Sequence, residues 1–221
     1  MKVCFIGCGT IGATAAYATA LIVNPEEIVL VDIDAARQNA EAEDLRQAVT
    51  AFGHETIITG GWENAGESDA YVITAGFRRS PADATRDALI EKNTPVIKEI
   101  AGKLKPIAPQ HARFVISTNP DTVMKKLFMH ETGLSEARVV SIGNLVDTIR
   151  LRTVSGNHKS LCLGDHGEEM IPVFEDSPEH IHKTKNSALE IIKGKGFTQW
   201  LPSTAIALLL KGIKSAKHAK A

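Results

Sequence analysis

Three groups of side chains in this sequence combine residue types and spacings that suit chemistry. The first is the glycine turn Gly7-Cys8-Gly9-Thr10-Ile11-Gly12, a G-x-G-x-x-G pattern lying between an apolar strand pattern and a helical one. Gly7 permits the tight turn, Gly9 lets the backbone approach a pyrophosphate, and Gly12 lets helix and strand pack closely. The helix that follows turns unpaired N–H groups and its positive dipole end toward the phosphates. Asp32 closes the next strand about 20 residues on, where a carboxylate meets ribose hydroxyls and repels a 2′-phosphate. Asp34 is read as the cap of the following helix, which leaves Asp32 available for the ribose. A glycine turn alone is a weak signal; its place after the first strand and the spacing to Asp32 strengthen it.

The second group is Asp147 and Arg150, one helical turn apart and therefore on one face. Arginine offers the planar, two-pronged donor that a carboxylate accepts. In isolation the pair reads equally as an ion pair on a solvated helix. The third is His166, followed by Gly167, which keeps its loop open. Imidazole titrates near neutrality and suits proton transfer, although a single histidine is more often an ordinary core or surface residue. Asn119, at a strand-end Asn-Pro turn, can donate and accept at once.

These groups need elements to hold them. Short β-branched runs at 2–6, 27–32, 56–59, 69–74, 113–117 and 138–142 read as buried parallel strands. Helical patterns at 11–23, 35–51, 86–104 and 122–131 lie between them, and that alternation predicts a doubly wound parallel α/β sheet. From residue 144 the pattern is less regular: a helix at 144–153, a strand at 160–163 and a long helix from Pro178. A break at 194–196 and another helix at 197–213 follow, with a frayed Lys/Ala/His-rich end. Two units are expected, 1–143 and 144–221.

Composition narrows the function classes. With 25 Lys and Arg against 26 Asp and Glu, the chain has no basic surplus for nucleic acid or anionic membrane. Its apolar runs are too short to span a bilayer, and no signal-peptide pattern precedes the glycine turn. The three scattered cysteines, Cys4, Cys8 and Cys162, suit neither a disulfide framework nor a zinc site, and point to a reducing cytoplasm. No metal ligand set is expected.

Several motifs then occur in a telling order. These are Ile73-Thr74-Ala75-Gly76, then Arg79, Pro81, Thr85-Arg86-Asp87 and Asn93, then Ser117-Thr118-Asn119-Pro120. The stretch from Gly143 to Arg150 and Gly164-Asp165-His166-Gly167 complete the set. Together with the glycine turn they resemble the lactate/malate dehydrogenase family over nearly the whole chain. The resemblance implies a Rossmann domain followed by an abbreviated α+β substrate domain, with NAD held by Gly7, Gly9, Thr10, Ile11, Gly12, Asp32, Thr74, Ala75, Gly76, Asn93 and Asn119. It further implies that His166 is the proton-transfer group, with Asp147 fixing its tautomer and countering its charge. Arg150 and Asn119 would bind substrate, with Thr198 at the pocket wall. Arg86, on a lid spanning 77–86, would polarise the reacting carbonyl. Arg79 occupies the substrate-selecting position, where malate-type members carry Arg for a second carboxylate and lactate-type members typically Gln. The expected reaction is therefore hydride transfer between NAD and malate or oxaloacetate. Other 2-hydroxy acids, or a non-catalytic NAD-binding remnant, are the alternatives. A glycosidase using NAD transiently is disfavoured, because it would want metal ligands. A homodimer or homotetramer in the cytoplasm is implied as well.

The sequence also departs from the family. The lid carries one extra residue, and the segments between Arg150 and His166 and between His166 and Gly194 are short. The family continues beyond the helix resembled by 197–213 with more strands and a long helix. Ala205, Ile206, Leu208, Leu209 and Leu210 are thus expected to lack packing surface and to be exposed or covered by a partner.

Overall fold

The computed structural model describes residues 1–78, 85–175 and 177–218. Six parallel strands form the main sheet: β1 (Lys2–Ile6), β2 (Glu27–Val31), β3 (Ile57–Gly60), β4 (Ala70–Ile73), β5 (Arg113–Ile116) and β6 (Val139–Ser141). Their spatial order is β3-β2-β1-β4-β5-β6, so the chain winds outward from β1 in both directions. This is the doubly wound Rossmann arrangement, with a switch point between β1 and β4 at the carboxyl edge.

Helices cover both faces. α1 (Thr10–Ile22) and α2 (Ala35–Ala51) lie on one, α3 (Arg86–Leu104) and α4 (Asp121–Thr132) on the other. The strands alternate accordingly: Val3, Phe5, Ile28, Leu30 and Val72 pack toward α1 and α2, while Cys4, Ile6, Val29, Tyr71 and Ile73 pack toward α3 and α4. Because both faces are buried, the strand sequences read as continuous apolar runs. Tyr71 and Phe114 stack at 5.3 Å within the second layer, and Phe128 leans on Phe114 at 5.2 Å.

After β6 come α5 (Gly143–Ser155), an antiparallel pair of β7 (Leu161–Gly164) and β8 (Met170–Val173), α6 (Pro178–Lys195) and α7 (Trp200–His218). A small satellite core of Leu151, Cys162 and Met170, with Ile181 against it, holds α5, the hairpin and α6 together. The helix from Pro178 runs through Gly194 and stops at Gly196, whose left-handed φ of 87° ends it.

α7 overturns two expectations. Ala205, Ile206 and Leu210 are fully buried, not exposed: they join the first-layer core beside Ala15, Ala16 and Ala20, whose small side chains let α1 and α7 approach closely. Leu209 also packs against that core, and of the five residues only Leu208, 42% exposed, stands out as expected. Nor does the helix stop at Ile213: it continues to His218, and the rest of the end expected to fray lies outside the described residues. Lys214 Nζ donates to the Val23 and Asn24 carbonyls at the end of α1, and Lys217 Nζ pairs with Asp69 at 2.7 Å. A lysine over a helix C-terminus satisfies carbonyls that lack an internal donor. Among the described residues no helix is long and apolar enough to cross a membrane.

Candidate functional site

The carboxyl ends of β1, β2, β4, β5 and β6 share one edge, and most described candidate residues lie there or on α5 and the hairpin beside it, with Arg86 and Asn93 on α3 and Thr198 between α6 and α7. The glycine turn is built as its pattern requires. Gly7 has φ +104°, and a Cβ on it would stand 2.5 Å from the Ala75 nitrogen. A Cβ on Gly12 would lie 1.8 Å from the Gly7 carbonyl oxygen, so only glycine lets α1 start this close to β1. Thr74 donates its hydroxyl to that same oxygen at 2.8 Å, locking the turn to β4. Gly9 is the N-cap of α1 and makes no side-chain cap, and nothing stands within 4 Å of where its Cβ would be. The first-turn amides of α1 therefore face an open approach, with the exposed Thr10 and with Ile11 beside it. Those are the features a pyrophosphate needs.

Asp32 differs from expectation in one respect. Asp34 does cap α2, accepting from the Arg37 amide at 3.1 Å, yet Asp32 is not left free. Its carboxylate accepts from the Cys8 amide at 2.6 Å and from the Asp34 amide at 3.0 Å, which braces the glycine turn against the end of β2. Each carboxylate oxygen keeps a second lone pair, the acceptor capacity two ribose hydroxyls require.

Asn93, expected at the cofactor, is fully buried in α3. Its Nδ2 donates to the Phe77 and Asn119 carbonyls and its Oδ1 accepts from the Phe77 amide at 2.7 Å. It acts as a bracket behind the site, joining the strand end at Gly76 to the Asn119 turn. Gly76 has to be glycine for the same reason: with φ +153°, a Cβ would lie 2.5 Å from Thr118 and 2.8 Å from Asn93 Oδ1. Thr118 closes the bracket by donating to the Ala75 carbonyl at 2.7 Å.

His166, the candidate proton-transfer group, is held at several points. His166 Nδ1 meets Asp147 Oδ2 at 2.7 Å, and the Gly167 amide donates to the same oxygen at 3.0 Å. Arg150 Nη1 donates to the other oxygen of Asp147 at 3.3 Å. The short segment between Arg150 and His166 suffices for this. α5 ends on Gly156 in the left-handed conformation, β7 runs back alongside α5, and Thr148 Oγ1 accepts from the Cys162 amide to fix its register. Asp147 and Arg150 are buried, 2% and 8% exposed, so the reading as a pair on a solvated helix is excluded.

Burial governs the electrostatics, and partners then correct it. Burial raises the Asp147 carboxyl, but the hydrogen bond and charge of His166, the Gly167 amide and Arg150 outweigh this and bring it below its ordinary value. Burial lowers His166, and the hydrogen bond and charge of Asp147, with the charge of Asp121, outweigh that and raise it above the usual imidazole value. The imidazolium is thereby favoured relative to an imidazole without these partners.

A cavity of about 80 Å³ opens beside this group, lined by His166, Arg150, Asn119, Asp121 and, as expected, Thr198 among others. The Nε of Arg150 is buried with no hydrogen-bond partner among the described residues. Arg150 as a whole lines the cavity, and a guanidinium there suits an anionic ligand. Arg86 does not line the cavity. It stands half-exposed at the start of α3, 3.9 Å from Asp165, next to His166. Arg79 lies outside the described residues.

Sequence reasoning overlooked Asp121 and named Gly143 only as the start of a motif. Asp121 follows the cis Asn119–Pro120 bond as the first residue of α4 and is 3% exposed. Its Oδ2 accepts from the Gly143 amide at 2.7 Å and its Oδ1 from the Thr122 amide at 2.9 Å. By pattern it is only an acid in a helix first turn, and nothing local indicates that it faces His166.

Comparison with known proteins agrees with this geometry. The family model described as lactate/malate dehydrogenase, NAD binding domain, matches residues 1–141. The chain belongs to the lactate/malate dehydrogenase family. Among relatives, a malate dehydrogenase of Archaeoglobus fulgidus is 32% identical over 229 residues, covering 96% of this chain and 77% of that one. An L-lactate dehydrogenase of Chloroherpeton thalassium is 30% identical over 231 residues, covering 90% of this chain and 75% of the relative. The solved structure of the Archaeoglobus fulgidus malate dehydrogenase in complex with NADH superimposes with a TM-score of 0.90 at 31% identity, covering 97% of this chain and 78% of that one. Within the lactate/malate dehydrogenase family, then, relatives of both substrate names match to a similar degree.

Proposed function

We propose that this member of the family is an NAD-dependent malate dehydrogenase, interconverting malate and oxaloacetate. The observation that carries the catalytic part is the His166–Asp147 hydrogen bond of 2.7 Å, which occupies Nδ1 and leaves Nε2 for the cavity that His166 lines. With Nδ1 donating to Asp147, Nε2 is the basic nitrogen and takes the proton of a 2-hydroxyl group. In the reverse direction it returns that proton to the reduced carbonyl oxygen. Arg150 binds the carboxylate beside the reacting carbon, using the donors that Asp147 does not engage. Asn119, held by Asn93, orients the hydroxyl-bearing end. Arg86 on α3 steadies charge on the carbonyl oxygen once it swings from Asp165.

The residues around the glycine turn fit NAD: an open α1 N-terminus for the pyrophosphate and Asp32 for the ribose. When bound, NAD supplies the acceptor for the hydride leaving the carbon that bears the hydroxyl. Arg79 supports malate over lactate, since a second carboxylate needs a cation. A homodimer or homotetramer formed by this chain is part of the same proposal.

The test is NADH consumption by the purified chain with oxaloacetate and with pyruvate, and its mass in solution beside it. Oxaloacetate is expected to turn over faster, and Arg79→Gln to move the preference toward pyruvate. No turnover of either substrate refutes the enzymatic reading. An unchanged preference in the variant refutes the role of Arg79.

A further inference from the structure

We infer that Asp121 is a second counter-charge for the imidazolium of His166, a positioning carboxylate held against it by the N-termini of two helices. This builds on the proposed role of His166 and adds a residue to it. The geometry is set by Gly143, the first residue of α5. A Cβ there would stand 2.6 Å from Asp121 Oδ2 and 2.5 Å from His166 Cβ, so the two side chains flank one point, within about 5 Å of each other. Asp121 and His166 line the same cavity.

The charges around His166 come from several elements. From α5 come Asp147 and Arg150; from α4 comes Asp121; the hairpin loop adds Asp165, which faces Arg86; and the Cys162 thiol on β7, pushed up to about 11 by burial, is uncharged at neutral pH. Asp147 divides its charge between the imidazole and Arg150, whose guanidinium opposes a second positive charge on the ring. Asp147 outweighs Arg150 at the ring, and Arg150 takes back part of what Asp147 supplies. Asp121, whose carboxyl burial raises above its ordinary value against the charge of His166 and two amide donors, adds to the negative environment of the protonated ring when ionised.

The fold also keeps that charge where it is. Asp121 is the first helical residue of α4 and accepts from the first amide of α5, so two helix dipoles point their positive ends at one carboxylate. Both oxygens are hydrogen-bonded to backbone amides, which fixes the carboxylate plane and prevents it from turning toward a substrate carboxylate in the cavity.

The experiment is an NMR titration of the histidine rings in the whole protein, with His166 identified by the signal lost in His166→Gln. In Asp121→Asn the amide oxygen still accepts from Gly143, so the contact survives while the charge goes. His166 is expected to titrate roughly 0.5–1 pH unit lower than in the parent. The alkaline limb of kcat/KM for keto-acid reduction is expected to move by the same amount. Asp121→Ser, neutral and able to accept at a helix start, serves if the Asn variant does not fold. A third measurement needs no variant: the Asp121 carboxyl carbon of the parent must report an ionised acid across the His166 titration. A His166 midpoint unchanged by loss of the charge, or an Asp121 protonated throughout, overturns the proposal. Absence of turnover with any substrate refutes the dehydrogenase reading while leaving the His166 titration readable, so the two failures are distinct.

Discussion

Replacing Gly143 with Ala tests whether the site depends on close packing around His166. Gly143 opens α5, where alanine suits the backbone. The added methyl, however, would lie 2.5 Å from His166 Cβ, 2.6 Å from Asp121 Oδ2 and 2.8 Å from His166 Cγ. Ordinary carbon contacts fall near 3.5–4.0 Å, so His166 must retreat by roughly 1 Å. It cannot do so by a rotamer change alone, because the nearest atom is its own Cβ and the ring is tied to Asp147. Overpacking of this kind costs about 1–3 kcal/mol, and the better helix propensity of alanine offsets up to about 1 kcal/mol of it. The variant is therefore expected to fold, with its urea midpoint lowered by an amount corresponding to about 0–2 kcal/mol. Activity is far more sensitive, since a misplacement of about 1 Å costs on the order of 100-fold in rate. Steady-state kinetics with NADH and oxaloacetate are expected to show that loss in kcat/KM. NADH affinity, read by fluorescence, is expected to fall less than kcat/KM, because the atoms nearest the added methyl belong to His166 and Asp121. A folded variant with kcat/KM within about threefold of the parent would refute the claim that His166 is held at this position by contact with α5.

Three other outcomes follow from the same geometry. Gly12→Ala pushes a methyl to 1.8 Å from the Gly7 carbonyl, so NADH binding measured by calorimetry should fall by about 100-fold or more, and near-parent affinity would contradict the tight-turn account. Asn93→Ala strips partners from the Phe77 amide and the Phe77 and Asn119 carbonyls. Phe77 and Asn119 are themselves exposed, so water takes up part of the loss; denaturant unfolding should show a loss of about 1–3 kcal/mol, and a loss under about 1 kcal/mol would show that Asn93 is no bracket. The pH dependence of stability has a fixed sign. His166 is raised in the folded state, so its contribution is complete below its ordinary 6.5 and is lost as pH rises through the folded value. The stability difference between the parent and His166→Gln should accordingly narrow above pH 6.5, and a difference that widens there would reverse the assignment.

Much of the site was legible because its residues belong to local patterns. The glycine turn, the i to i+3 pairing of Asp147 with Arg150 and the Asn-Pro turn each state their geometry in a few consecutive residues. Asp34 as the cap of α2 followed from the same local logic. Asp32 shows the limit: its spacing located it at the strand end, but the Cys8 amide it accepts from comes from another strand's turn. Asn93 shows it again, since its role depends on Phe77 and Asn119 approaching from two directions.

The tail of the chain divides most clearly. Apolar periodicity in 205–210 identified a helix, and family resemblance suggested it would lack a surface. α1 supplies that surface, because its run of alanines and glycine admits a second helix at close range, a match between two segments nearly 200 residues apart in sequence. By itself the sequence determined the order of strands and helices in the main sheet, the dinucleotide turn and a set of candidate reacting groups, all carried by motifs along the chain. Only the tertiary structure decided that α7 closes the first-layer core, that Asp147 and Arg150 are buried, and that Asp121 faces His166. Burial, and the charge environment that burial creates, depend on what the rest of the fold packs against a residue, and no local pattern carries that.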